Sequence, residues 1–157
     1  TYQASEQGPH ASLLRDLANA MAGFHKAMKA IQATNHVTTF TMSDFGRTYQ
    51  GNAQLGTDHA WGSNHMVMGG SINARAVHGA YPSPILGGAD DVVGDGRFIP
   101  TISQEEYLGA IARWHGVAEI DMGYVFPNWT TWNSRGRGPI PLFRNFGGGM
   151  QTPTAAI

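Results

Sequence analysis

Between residues 14 and 31, apolar positions recur at three- and four-residue steps: Leu14, Leu17, Met21, Phe24, Met28 and Ile31. That spacing puts them on one face of a helix, with Ser12 suited to the N-cap and Thr34-Asn35 marking the end. The pattern predicts a helix over about residues 12–33 in which Leu14, Leu17, Met21 and Phe24 are buried. His25 and Lys26 fall on its expected solvated side.

The period then shortens. Residues 37–42 are rich in β-branched side chains and predict a strand, and His65-Met66-Val67-Met68, stopped by Gly69-Gly70, predicts another. A helix, a strand and then polar residues at the strand's end is the order of an α/β domain, where ligands gather beyond the carboxyl ends of strands. On this reading Asp44 and Arg47 stand in the site region. Residues 49–63 form a Gly-rich loop that carries Thr57-Asp58-His59. Residues 71–100 hold many turn residues and predict ordered loops, with hairpins near Val77 and near Phe98-Ile99.

Ser103-Gln104-Glu105-Glu106 has the spacing of a capping box and opens a helix to about His115, with Leu108, Ile111 and Ala112 as its inner face and Gly116 as its C-terminal cap. From Trp129 onward no period is visible, so residues 129–157 read as an irregular tail behind a domain spanning residues 1–128.

Composition narrows the function classes. With 41% hydrophobic residues in 157, the chain can build a core. A charged fraction of 13% and a net charge of -1 provide no basic field to hold nucleic acid. No apolar run reaches the length of a membrane span. The absence of cysteine excludes disulfides, zinc ribbons and thiol catalysis. Seven His and eleven acidic residues leave open a site built from oxygen and nitrogen ligands. The chain begins at Thr1 with no visible export leader, which reads as a processed product or a fragment.

Asp58-His59 is the strongest chemical candidate. An adjacent Asp and His in a glycine-flanked loop supply one carboxylate oxygen and one imidazole nitrogen, donors that suit zinc or manganese. His65 lies six residues on and can approach the same point, and Asp44 can act as a ligand or orient a histidine. By spacing alone, such a pair is more often a solvated turn, and Asp44 with Arg47 more often a structural ion pair.

A family resemblance raises the weight of these residues. Ser43-Asp44-Phe45-Gly46-Arg47-Thr48, then Gly56-Thr57-Asp58-His59-Ala60-Trp61-Gly62-Ser63-Asn64-His65, then Met68-Gly69-Gly70 resemble the signature block of the bacterial "domain of unknown function 1501" family. Gly94-Asp95-Gly96-Arg97-Phe98-Ile99-Pro100-Thr101, the segment 107–114 and Phe126-Pro127-Asn128 look like that family too. The resemblance covers roughly residues 7–128. It implies the alkaline phosphatase/sulfatase-like superfamily: an α/β fold, here a partial sheet flanked by helices and Gly-rich loops. It also implies export to the periplasm or beyond, in many members by the twin-arginine route.

In that superfamily an Asp-His pair after a core strand binds a catalytic metal, a role that carries over to Asp58 and His59, with His65 as a third ligand. Asp44 and Arg47 are the expected substrate-binding or supporting residues, Arg47 matching an anionic oxygen with two donors. The nucleophile is expected upstream of Thr1, so this chain is expected to be inactive alone. The expected function is that of an exported metal-dependent hydrolase of phosphate or sulfate esters. The alternative is a non-catalytic exported protein that uses the same fold for binding or assembly. Expected partners are an anionic ester and either the upstream part of the same domain or a second copy.

Overall fold

The computed structural model describes residues 7–73 and 75–144. In chain order they form α1 (Gln7–Ala30), β1 (Thr38–Phe40), β2 (Gly46–Arg47), β3 (His59–Ala60), β4 (Val67–Gly69), α2 (Gln104–His115), a 3-10 turn (Glu119–Asp121), α3 (Met122–Val125) and α4 (Trp129–Ser134). The architecture is mixed α/β, but the strands form two separate antiparallel pairs, β1–β4 and β2–β3. Two compact units divide the chain: Thr1–Gly70 with Ala80–Thr101, and Ser71–Gly79 with Ile102–Ile157. Among the described residues no helix is long and apolar enough to cross a membrane.

In the first unit, α1 starts earlier than Ser12 because Pro9 falls in the first turn, where a missing N–H removes no helical hydrogen bond. It stops at Ala30, and Gln32 turns into the left-handed region at φ 57°. The two predicted strands are present and pair with each other, Thr38 opposite Gly69, Thr39 opposite Met68 and Phe40 opposite Val67. Gly69 and Gly70 are required by close backbone approach. A Cβ on Gly69 would lie 2.8 Å from the Val37 carbonyl oxygen, and one on Gly70 2.8 Å from that of Thr34.

The expected burial of the α1 stripe is corrected. Leu14 is 50% exposed, Leu17 39% and Phe24 44%, while Met21 is half-buried. The last turns of α1 border the β1–β4 pair: Phe24, His25 and Met28 line a small cavity with Val37, Thr39 and Met68. His25 is therefore half-buried, not solvated. The earlier turns are only partly covered, and among the described residues of this unit the buried hydrophobic side chain is Ala60.

The second unit holds the better-packed core, with Ile72, Tyr107, Ala110, Met122, Trp129, Leu142 and Phe143 buried. The capping box of α2 forms as its sequence predicts: the Ser103 hydroxyl accepts from the Glu106 N–H and the Glu106 carboxylate accepts from the Ser103 N–H. Gly116 closes the helix at φ 109°. The inner face of α2 is rotated from the expected one. Glu106, Tyr107, Gly109 and Ala110 are buried, while Leu108, Ile111 and Ala112 are half-buried. The cause is Gly109, whose bare backbone admits the Trp129 ring; a Cβ there would lie 2.3 Å from its Cζ3.

Where irregular structure is expected from residue 129, the structure has α4 and a bridge joining Ile72 to Phe143. Burial of Trp129, Leu142 and Phe143 organises this segment despite its lack of period. Residues 145–157 of the expected tail lie outside the described residues. Hairpins expected at Val77 and Phe98 are reduced to a single bridge between Asp91 and Phe98, and Val77 is 95% exposed.

Candidate functional site

Residues 41–45 lead from β1 to β2, so the site region does follow the carboxyl end of a predicted strand. The Ser43 hydroxyl fixes this turn by donating to the Phe45 carbonyl at 2.8 Å, leaving Asp44 exposed. β2 and β3 pair with Gly46 opposite Ala60 and Arg47 opposite His59. Buried Thr48 extends the pairing: its N–H donates to the Asp58 carbonyl, its hydroxyl oxygen accepts from the Asp58 N–H, both at 3.0 Å, and the hydroxyl donates to Gln50. Asp58 is thus held by backbone and side chain to a residue ten positions earlier.

The pair has two unlike faces. Gly46 and Ala60 are buried, and the backbone of Gly62 comes so close that a Cβ on Gly46 would lie 1.6 Å from its carbonyl oxygen. Phe45, Arg47, His59 and Trp61 alternate with them and are exposed or half-exposed. The Phe45 and His59 rings stack at 4.1 Å, and the Arg47 guanidinium carbon lies 5.4 Å from the centre of the Phe45 ring. Arg47 also donates to the Thr57 carbonyl at 3.4 Å.

A third segment backs β3. Arg97 donates to the His59 carbonyl at 2.9 Å and pairs with Asp95. The loop carrying it is organised by Asp91, whose carboxylate accepts from the N–H groups of Gly87, Gly94 and Gly96 at 2.9–3.1 Å. Burial raises the Asp91 pKa, but these and the Val93 N–H outweigh it and hold the carboxyl below its ordinary value.

The sequence-predicted residues are gathered only in part. Arg47, Asp58 and His59 share the β2–β3 pair. The Asp58 carboxylate accepts from Asn52 Nδ2 at 3.0 Å, while the His59 ring meets Phe45. The Asn52 oxygen in turn accepts from the Gln54 and Gly56 N–H groups, so the amide is locked in place. Asp44 sits on the preceding turn and His65 just ahead of β4. Desolvation lowers the His65 pKa and favours its neutral, ligand-competent form.

Among the described residues no three His, Asp or Glu side chains gather closely enough to hold a metal ion. Asp58 and His59 are a carboxylate and an imidazole at adjacent positions, and with their side chains on Asn52 and Phe45 they do not form a closed metal site. Sequence reasoning missed Thr48, Asn52, Phe45 and Arg97. Arg97 was visible in the Gly-Asp-Gly-Arg string; the others carry no chemical signal until β2 meets β3.

The model of a family described as "Protein of unknown function (DUF1501)" matches residues 4–104. No curated protein and no solved structure matches the chain.

Proposed function

The chain belongs to the DUF1501 family, and from that premise we propose that it is an exported hydrolase-like protein of the alkaline phosphatase/sulfatase type. Its β2–β3 pair carries Arg47 for a phosphate or sulfate ester and Asp58 and His59 as donors to a divalent metal, two donors that alternate to opposite sides of the strand and must converge when the ion binds. One observation carries the reading: residues 46–48 and 58–60, apart in sequence, pair edge to edge, which sets Arg47 opposite His59 and ties Asp58 to Thr48.

Each residue has a definable task. Arg47, steadied by the Thr57 carbonyl and the Phe45 ring, offers a planar fork of N–H donors to an anionic oxygen. Asn52 orients the Asp58 carboxylate, and Phe45 fixes the plane of the His59 imidazole. A bound divalent ion would add charge neutralisation at the ester oxygen and a lowered pKa for a bound hydroxyl. No residue of this chain is assigned as the nucleophile.

Calorimetric titration with zinc and with manganese tests the donor pair. Binding to this chain is expected to be weak and to vanish in both Asp58→Ala and His59→Ala. Unchanged binding in the double variant would remove the pair from the site.

A second reading, a non-catalytic exported binding or assembly protein, is favoured by the partly exposed α1 stripe of Leu14, Leu17 and Phe24.

A further inference from the structure

We propose that the cavity between α1 and the β1–β4 pair binds a soft monovalent metal ion, copper(I), through His25, Met28 and Met68. Asp58 and His59 are not among its lining residues, so the inference does not rest on the hydrolase reading.

The periods of the helix and the strands gather the donors. His25 and Met28 are a single turn apart on α1, where side chains at that spacing share one helix face. Met68 of β4 stands directly opposite Thr39 of β1, and such a cross-strand pair shares one face of the sheet. All four residues line one cavity of about 10 Å³, room for a single water-sized occupant. His25, Met28 and Met68 are half-buried, so an ion among them is partly withdrawn from water.

The donor chemistry selects the ion. Two thioether sulfurs and one neutral imidazole form a soft, uncharged set, which suits copper(I). No lining residue carries a carboxylate to offset the second charge of a divalent ion, and uncompensated charge withdrawn from water is costly. Magnesium and calcium need oxygen ligands that this set does not supply. The chain has no cysteine, so no thiolate competes for the ion. His25 is also the residue that apolar packing leaves unexplained. An aliphatic side chain would fill the same seam, and among the described residues the His25 ring has no hydrogen-bonding partner. A metal ion gives one ring nitrogen a partner.

The test is anaerobic titration of the full chain with copper(I) against a chromophoric copper(I) chelator, joined to X-ray absorption at the copper edge. A single equivalent is expected to bind, with two sulfur scatterers and one nitrogen around the metal. Met28→Leu and Met68→Leu keep the core volume and should leave the fold intact. Each should nevertheless remove one sulfur scatterer and weaken binding by ~10-fold or more, as lost support does at metal sites. His25→Gln should weaken it likewise, and Met66→Leu, outside the cavity lining, should not. No copper(I) binding, a copper environment without sulfur, or undiminished affinity in the Met28→Leu, Met68→Leu double variant would overturn the proposal. Zinc titration of the same variants keeps the two sites apart, because the Asp58–His59 pair should respond to none of these substitutions.

Discussion

Gly46 and Gly62 approach so closely that a Cβ on Gly46 would lie 1.6 Å from the Gly62 carbonyl oxygen. The obstacle is backbone, which cannot rotate aside as a side chain can. Gly46→Ala is therefore expected to force β2 away from the 62 region and to cost ~1–3 kcal/mol or more, as overpacking does. Urea denaturation followed by Trp fluorescence measures the loss. A midpoint equal to that of the unaltered chain would show that the two backbones are not packed as described.

In the second unit, Arg137 grips Glu106 with two hydrogen bonds, Nε to Oε1 at 2.9 Å and Nη2 to Oε2 at 2.7 Å. Burial raises the Glu106 pKa, but the Arg137 hydrogen bonds, the Ser103 N–H and hydroxyl and the Arg137 charge outweigh it. The folded carboxyl thus titrates below its ordinary value of 4.5. The sign follows: this stabilisation is present above that ordinary value and is lost as pH falls through the lower folded one. Stability should decline below about pH 4.5, with Asp91, ordinarily 3.8 and also lowered, adding to the acid side. Arg137→Met should cost ~1–3 kcal/mol at neutral pH and flatten the acid limb. A variant with the same acid profile would deny the pair its role.

How much of this was readable in the sequence depends on the length of each signal. The helices α1 and α2 and the strands β1 and β4 have enough residues to display a period or a β-branched run, and all four were legible. The capping box and Gly116 were legible because caps are set by local chemistry. β2 and β3 were not, because each is two residues long and exists only by pairing with the other. For the same reason Asp58 and His59 could be named as candidates, but their neighbours Asn52 and Phe45 could not. The exposure of Leu14 and Leu17 was missed because periodicity shows which face is apolar without showing what covers it.

Trp129 supplies the clearest packing test. Its ring meets Gly109 and its Nε1 donates to the Glu119 carboxylate at 3.0 Å, with 4% of the residue exposed. Trp129→Ala should cost ~3–5 kcal/mol through lost burial and the cavity left behind. Gly109→Ala should also destabilise, because its Cβ would enter the space of the ring. Near-ultraviolet circular dichroism during thermal melts reads both. A Trp129→Ala protein with an unchanged melting curve would mean that this segment contributes no core.

The last test concerns the face of α1. Leu14, Leu17, Met21, Phe24, Met28 and Ile31 follow a 3-4-3-4-3 spacing, the pattern of a seam between two helices. Its first turns are open, with Leu13 57%, Leu14 50% and Leu17 39% exposed. Such a stripe in water favours association, and a like stripe on a second copy offers matching spacing. The chain is therefore expected to self-associate through α1, with a weight-average mass that rises with concentration in sedimentation equilibrium. Leu14→Gln with Leu17→Gln should return it to a monomer. Because Leu14 is 50% and Leu17 39% exposed, the double variant should change the stability of the monomer by no more than ~1–2 kcal/mol, less than the loss of two core leucines. That combination, lost association with retained stability, separates an interface from a core. A monomer at every concentration would sink the assembly reading, and a large loss of monomer stability would mean that the stripe is covered from within the chain.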